Sequence, residues 1–118
     1  MKKIGEGLSC SSNSEVTGEL VYIQSVQDVI NLFDDANGKI CIVEDSGTTT
    51  LGPILSELAG VLCPIGSVGS HLAIVSREFE IPCIMSVEFL LEDLSSLNGK
   101  KGKIITESEA KGIIYLLE

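Results

Sequence analysis

Tryptophan is absent from this 118-residue chain, histidine and arginine occur once each, and aromatic residues make up only 4% of a sequence that is 44% hydrophobic. Any core is therefore built from aliphatic side chains. Cations are scarce as well: eight Lys and Arg stand against seventeen Asp and Glu, a net charge of −9. Phosphate backbones and anionic bilayers attract basic faces, so neither a nucleic acid nor a membrane is expected as a partner. Lys2, Lys3, Lys100, Lys101 and Lys103 form two small basic spots that do not reverse the balance. No run approaches the ~20 apolar residues of a membrane span. The N-terminal lysines lead into no apolar run, so no signal peptide is expected.

The four cysteines, Cys10, Cys41, Cys63 and Cys83, form no Cys-x-x-Cys pair, and there is one histidine to join them. No metal site is expected from such a set. Cys41, Cys63 and Cys83 lie in apolar runs, where a free cysteine behaves as a small buried hydrophobe. Reduced thiols of this kind imply a cytoplasmic protein. The length gives room for one domain, residues 1–118, with one modest core. No Gly-x-x-x-x-Gly-Lys phosphate loop is present.

Along the chain, residues 1–15 are rich in Ser and Gly and read as an irregular lead-in. Residues 18–24 read as a strand. Ser25 is placed to cap a helix whose apolar stripe is Val26, Val29, Ile30 and Phe33, closed by Asn37-Gly38. Residues 39–44 form a short apolar strand that expects burial on both faces. A polar loop carrying Thr48, Thr49 and Thr50 precedes a short helix over 53–59. Residues 61–63 are a strand, and residues 70–79 a helix with Leu72, Val75 and Phe79 inward. Residues 83–85 are a strand, and Ser86 caps a short helix with Leu90, Leu91, Leu94 and Leu97 inward, closed by Asn98-Gly99. Residues 103–106 and 112–117 read as a terminal hairpin. Alternating βα units imply a parallel sheet, and the early strand and terminal pair add an antiparallel component. The fold class is α/β with a mixed sheet.

The stretch Gly66-Ser67-Val68-Gly69-Ser70-His71 changes in character at its end. Before His71 it is small and loop-like; after it the sequence turns apolar and then charged, as a short helix does. His71 thus sits where a loop feeds a helix N-terminus, and such ends present N–H groups to anions. A neutral imidazole there is placed to attack a phosphoryl group. The alternative is a surface histidine that happens to follow a Gly/Ser loop.

The run from Gly66 through Gly69-Ser70-His71-Leu72-Ala73-Ile74-Val75-Ser76-Arg77-Glu78-Phe79-Glu80-Ile81-Pro82 resembles the phosphohistidine motif of the phosphoenolpyruvate (PEP)-utilising enzymes. Pyruvate phosphate dikinase, PEP synthase and enzyme I of the sugar phosphotransferase system share that motif, approximately GGxTSHAAIVARExGIPAV. Gly66, Ser70, His71, Ala73, Ile74, Val75, Arg77, Glu78, Ile81 and Pro82 match it. Ser67, Gly69 and Glu80 replace a glycine, a threonine and a glycine. The likeness extends from about Val16 to the C-terminus, with Ser14 where the family has a glycine and Leu51-Gly52 where it has a proline and an acidic residue.

The resemblance implies a swivelling, three-layer β/β/α phosphohistidine domain. It implies His71 as phosphoryl acceptor, with Gly66, Ser67, Gly69 and Ser70 around the phosphate. Thr49 and Thr50 either support that phosphate or only cap a helix. Arg77 either faces phosphate or pairs with a neighbouring acid. The resemblance further implies that no cofactor is bound by this chain, and that Mg2+ and PEP or ATP reside on partner domains. Neither a nucleotide-binding domain nor a PEP/pyruvate barrel fits into this length, so a stand-alone carrier between nucleotide-binding or PEP/pyruvate-binding partner chains is expected. The other readings are a non-catalytic swivel module for docking or regulation, and an unrelated α/β domain with His71 incidental.

Overall fold

Short runs of Ile, Val and Leu outnumber helix-period stripes in the sequence, and strands dominate the structure. The computed structural model describes residues 2–9, 14–23, 26–43, 54–64, 71–90, 93–107 and 111–117. Their elements run β1 (Lys2–Ser9), β2 (Ser14–Ile23), α1 (Val26–Ile30), β3 (Lys39–Val43), β4 (Gly60–Leu62), α2 (His71–Glu78), β5 (Cys83–Phe89), β6 (Lys101–Glu107) and β7 (Lys111–Leu117). Single turns of 3-10 helix occupy Leu55–Glu57 and Leu94–Leu97.

The strands close into one barrel in the order β1-β5-β4-β3-β2-β6-β7. Strands β2, β3, β4 and β5 run parallel. The pairs β1–β5, β1–β7, β2–β6 and β6–β7 are antiparallel. The mixed sheet expected from the order of elements is present. That sheet closes into a single barrel, in which three layers are not separately marked out.

Two apolar layers explain why β3 is hydrophobic at every position after Lys39. Ile40 and Ile42 pack inside the barrel with Leu20, Leu62, Ile84, Ile104 and Ile114. Cys41 and Val43 point the other way, into a layer with Val29, Leu32, Ala36, Ile54, Leu58, Ile81 and the half-buried Val75. That second layer lies between the parallel strands and the segments that connect them. Each fully buried aliphatic side chain of this size contributes about 1.5–3 kcal/mol, so both layers matter to stability. The barrel is narrow enough that some wall positions have no space for a side chain. A Cβ on Gly112 would stand 2.6 Å from Ile84 Cδ1, and one on Gly60 2.6 Å from Ile104 Cδ1.

Several local expectations are corrected. Lys2–Ser9 is not an irregular lead-in: it pairs on both sides, with β5 and β7, and sends Ile4 into the barrel. Tertiary pairing overrides its glycine-rich composition. α1 stops at Ile30 and turns follow, so Leu32 and Ala36 are buried instead of Ile30 and Phe33, which are 46% and 50% exposed. Phe79 lies past the end of α2 and faces outward. Ser86 caps no helix; it lies within β5, which continues to Phe89, and Leu90 is exposed. Leu97 is buried as expected, in a 3-10 turn rather than an α-helix. The two Asn-Gly pairs turn as read, with Gly38 and Gly99 at φ 81° and 87°.

Candidate functional site

Four parallel neighbours share a carboxyl end. The register sets Ile23 beside Val43, Ile42 beside Leu62, and Leu62 beside Ile84. The chain therefore leaves β2, β3 and β4 at the same end of the barrel, and such ends are where parallel α/β sheets bind ligands. From β3 it departs after Val43 toward Thr49 and Thr50. From β4 it departs through Cys63 and Pro64, and it re-emerges at His71 as the first residue of α2. The helix then runs back along the outside of the parallel strands. Val75 and Ile81 join the outer apolar layer on the way to β5.

His71 thus opens a helix, as its sequence context indicates. Gly66, Ser67, Gly69, Ser70, Thr49 and Thr50 lie outside the described residues. The topology brings the two segments that carry them off adjacent strands. Arg77 is exposed in the last turn of α2. Six residues of helix put it about 9 Å along the axis from His71, so the two stand at opposite ends of one element.

α2 ends in a way the sequence hides. Glu80 is left-handed at φ 58°. Its N–H donates to the Arg77 carbonyl at 3.1 Å, and the Ile81 N–H to the Ser76 carbonyl at 2.8 Å. These are the paired bonds of a Schellman closure, which favours glycine at the left-handed position. Ser76 is fully buried under the helix, and its Oγ has no hydrogen-bond partner. A second left-handed residue, Ser86 at φ 52°, lies in β5. Neither Ser76 nor Ser86 carries a local sequence signal for these features. For Glu80 a signal existed: it stands where the similar enzymes carry glycine.

Charge is distributed unevenly around the barrel. Arg77 is the one cation on α2; every lysine lies on or beside β1, β3, β6 or β7. Lys39 Nζ sits 3.3 Å from Glu19 and 3.6 Å from Asp35, and Lys103 sits 3.2 Å from Glu15. Glu6 pairs with Lys3 and with Lys111. The hydrogen bond from Lys3 and the charge of Lys111 hold the Glu6 carboxyl below its ordinary range. Cys41, Cys63 and Cys83 are buried and in no disulfide, and burial pushes the Cys41 thiol up to about 12. Among the described residues, no group of three His, Cys, Asp or Glu side chains is arranged to hold a metal ion. No helix among them is long and apolar enough to cross a membrane.

A family model described as "PEP-utilising enzyme, mobile domain" matches residues 36–112, which include β3 through the start of β7 and all of α2. No curated protein matches the chain. Among solved structures the chain is similar to muramoyltetrapeptide carboxypeptidase from Oxalobacter formigenes, with a TM-score of 0.57 at 12% identity. That match covers 99% of this chain and 51% of the other, so this chain spans about half of its length. At that identity the likeness is one of fold alone.

Proposed function

The chain belongs to the PEP-utilising enzyme mobile-domain family, and on that premise we propose that it is a phosphohistidine carrier. The supporting observation is the position of His71, at the start of α2 and at the carboxyl end of the parallel strands. A neutral imidazole nitrogen attacks the phosphorus of the donor. The P–O bond to the donor breaks as the N–P bond forms, and the donor oxygen leaves with the electron pair. Backbone N–H groups at a helix N-terminus favour the charge that His71 acquires. Attack by an acceptor oxygen on the same phosphorus restores the imidazole.

In this reading Gly66, Ser67, Gly69 and Ser70 surround the phosphate. Thr49 and Thr50 support it from the segment that leaves β3. Arg77 contributes charge from the far end of the helix. Phosphoryl transfer also needs metal-assisted neutralisation, which Mg2+ supplies on the partner that holds PEP or ATP. The partners are therefore nucleotide-binding or PEP/pyruvate-binding chains or domains, and the module swivels between them. The two walls of the barrel and the outer helices then serve as the three layers of such a domain. The buried free thiols favour a reducing, cytoplasmic setting.

A second reading keeps the swivel and drops the chemistry. The departures at Ser67, Gly69 and Leu51 favour it, since all three lie at positions the family motif uses. In that case the chain docks or regulates. Intact mass after incubation with PEP or ATP in cell extract separates the two. A carrier gains one phosphate that is lost in acid and kept in base. A docking module gains none.

A further inference from the structure

Strand β5 holds Cys63 from both sides of its peptide group. The Cys63 N–H donates to the Ile84 carbonyl at 2.9 Å, and the Cys63 carbonyl accepts from the Val87 N–H at 3.0 Å. In an unbroken parallel ladder the second bond would come from Ser86; here that residue is skipped, as in a β-bulge. The skip shows in the packing. Ile84 and Val87, three positions apart, both enter the barrel interior, where strict alternation would have sent Ser86.

The opposite neighbour is shaped to the same irregularity. On β1, Leu8 faces Met85 and Glu6 faces Glu88, so Gly7 alone stands opposite Ser86 and Val87. A Cβ on Gly7 would lie 2.6 Å from the Met85 carbonyl oxygen and 3.0 Å from Val87 Cα. A left-handed non-glycine residue is strained and persists only where its surroundings over-determine it. The Cys63 carbonyl on one side and Gly7 on the other do that for Ser86.

Cys63 is also where the chain leaves the sheet for His71, and Cys83 is where it returns to the same β5. We propose that Ser86 is a positioning residue: its bulge seats Cys63, and thereby sets the point from which the segment leading to His71 departs. The kinetic half of the test rests on the carrier reading; the geometric half does not.

Two substitutions separate the roles. S86V puts a β-branched side chain at a positive φ, which such residues avoid; S86G tolerates it. In S86V, backbone amide signals should move at residues 63–71 as well as along β5, and the Val87 amide should lose exchange protection. Phosphoryl acceptance by His71 should fall about tenfold or more, as small misplacements of reacting groups do, while circular dichroism still reports a folded barrel. S86G should keep the wild-type amide pattern and rate. G7A disturbs the bulge from the other side and should reproduce the S86V signature; it decides the matter if S86V does not fold. The proposal is overturned if S86V or G7A moves signals only in β1 and β5 and leaves residues 63–71 and the rate unchanged, or if S86G is as impaired as S86V. If wild type takes no phosphate from any donor, the carrier reading fails and the amide pattern still decides the role of Ser86.

Discussion

The Ile81 N–H reaches back 2.8 Å to the Ser76 carbonyl, closing the helix that His71 opens around a glutamate held at φ 58°. Glu80 supplies by force what glycine supplies freely. The left-handed conformation costs an L-residue roughly 1–2 kcal/mol, because its Cβ crowds the following carbonyl. The surrounding bonds from Glu80 and Ile81 impose it all the same.

Glu80→Gly should therefore stabilise the protein by about 0.5–1 kcal/mol, the relief of strain being partly offset by the greater freedom of glycine when unfolded. Urea unfolding measures this directly as a higher midpoint at unchanged slope. A lower midpoint would mean that the Glu80 side chain contributes more than its backbone costs.

Ser76→Ala should be neutral to stabilising, by up to about 1 kcal/mol, because it removes a buried hydroxyl that lacks a partner and leaves nothing unpaired behind. The same unfolding experiment checks it. Destabilisation beyond about 1 kcal/mol would show that Ser76 Oγ makes a bond worth that much in solution.

These two positions also show how far the sequence could be read. The helix start at His71 was legible because the change from Gly and Ser to apolar residues is local. The helix end lies within one residue of the expected Phe79, but the face of its last residue does not follow. Periodicity places Phe79 on the inner face, yet it lies just past the last residue of α2 and is 53% exposed. Ser86 looked like a cap because a serine precedes leucines, and only pairing with β4 and β1 shows it to be a bulge. Lys2–Ser9 failed for a similar reason: Gly5 and Gly7 weaken its local signal yet permit close approach to β5 and β7. Strands β3, β6 and β7, whose patterns are self-contained, were recognisable from residues alone. Closure into a barrel is a long-range property with no local signal.

The buried Cys41 thiol gives a pH dependence. Burial raises Cys41 from its ordinary 9.0 to about 12, so above the lower value the unfolded chain loses a proton that the folded chain keeps. The unfolded state then binds fewer protons, and stability falls as pH rises. Stability measured by denaturant should be undiminished by this group below pH 9 and should decline between 9 and about 12. Native protein at pH 8 should correspondingly leave Cys41, Cys63 and Cys83 unlabelled by a thiol reagent, with labelling appearing on unfolding. Rapid labelling of Cys41, Cys63 or Cys83 in the native state, located by peptide mapping, would contradict the packing of the outer layer.

Anion binding should be confined to one end of the barrel. Titration with inorganic phosphate should move amide signals of residues 66–73, because His71 opens α2 and a helix N-terminus favours anions. Signals along β6 and β7 should stay in place, since Lys103 and Lys111 there are already paired with Glu15 and Glu6.

The most direct measurement is phosphoryl acceptance by wild type and His71→Ala side by side, with labelled PEP and a partner chain. His71 is the only imidazole in the chain. Its removal should leave folding intact, which circular dichroism of the two proteins checks. A carrier predicts acid-labile, base-stable label on wild type and none on His71→Ala, with both proteins equally folded. Equal labelling of the two would remove His71 from the chemistry, and no label on wild type with any donor would leave the chain a docking module.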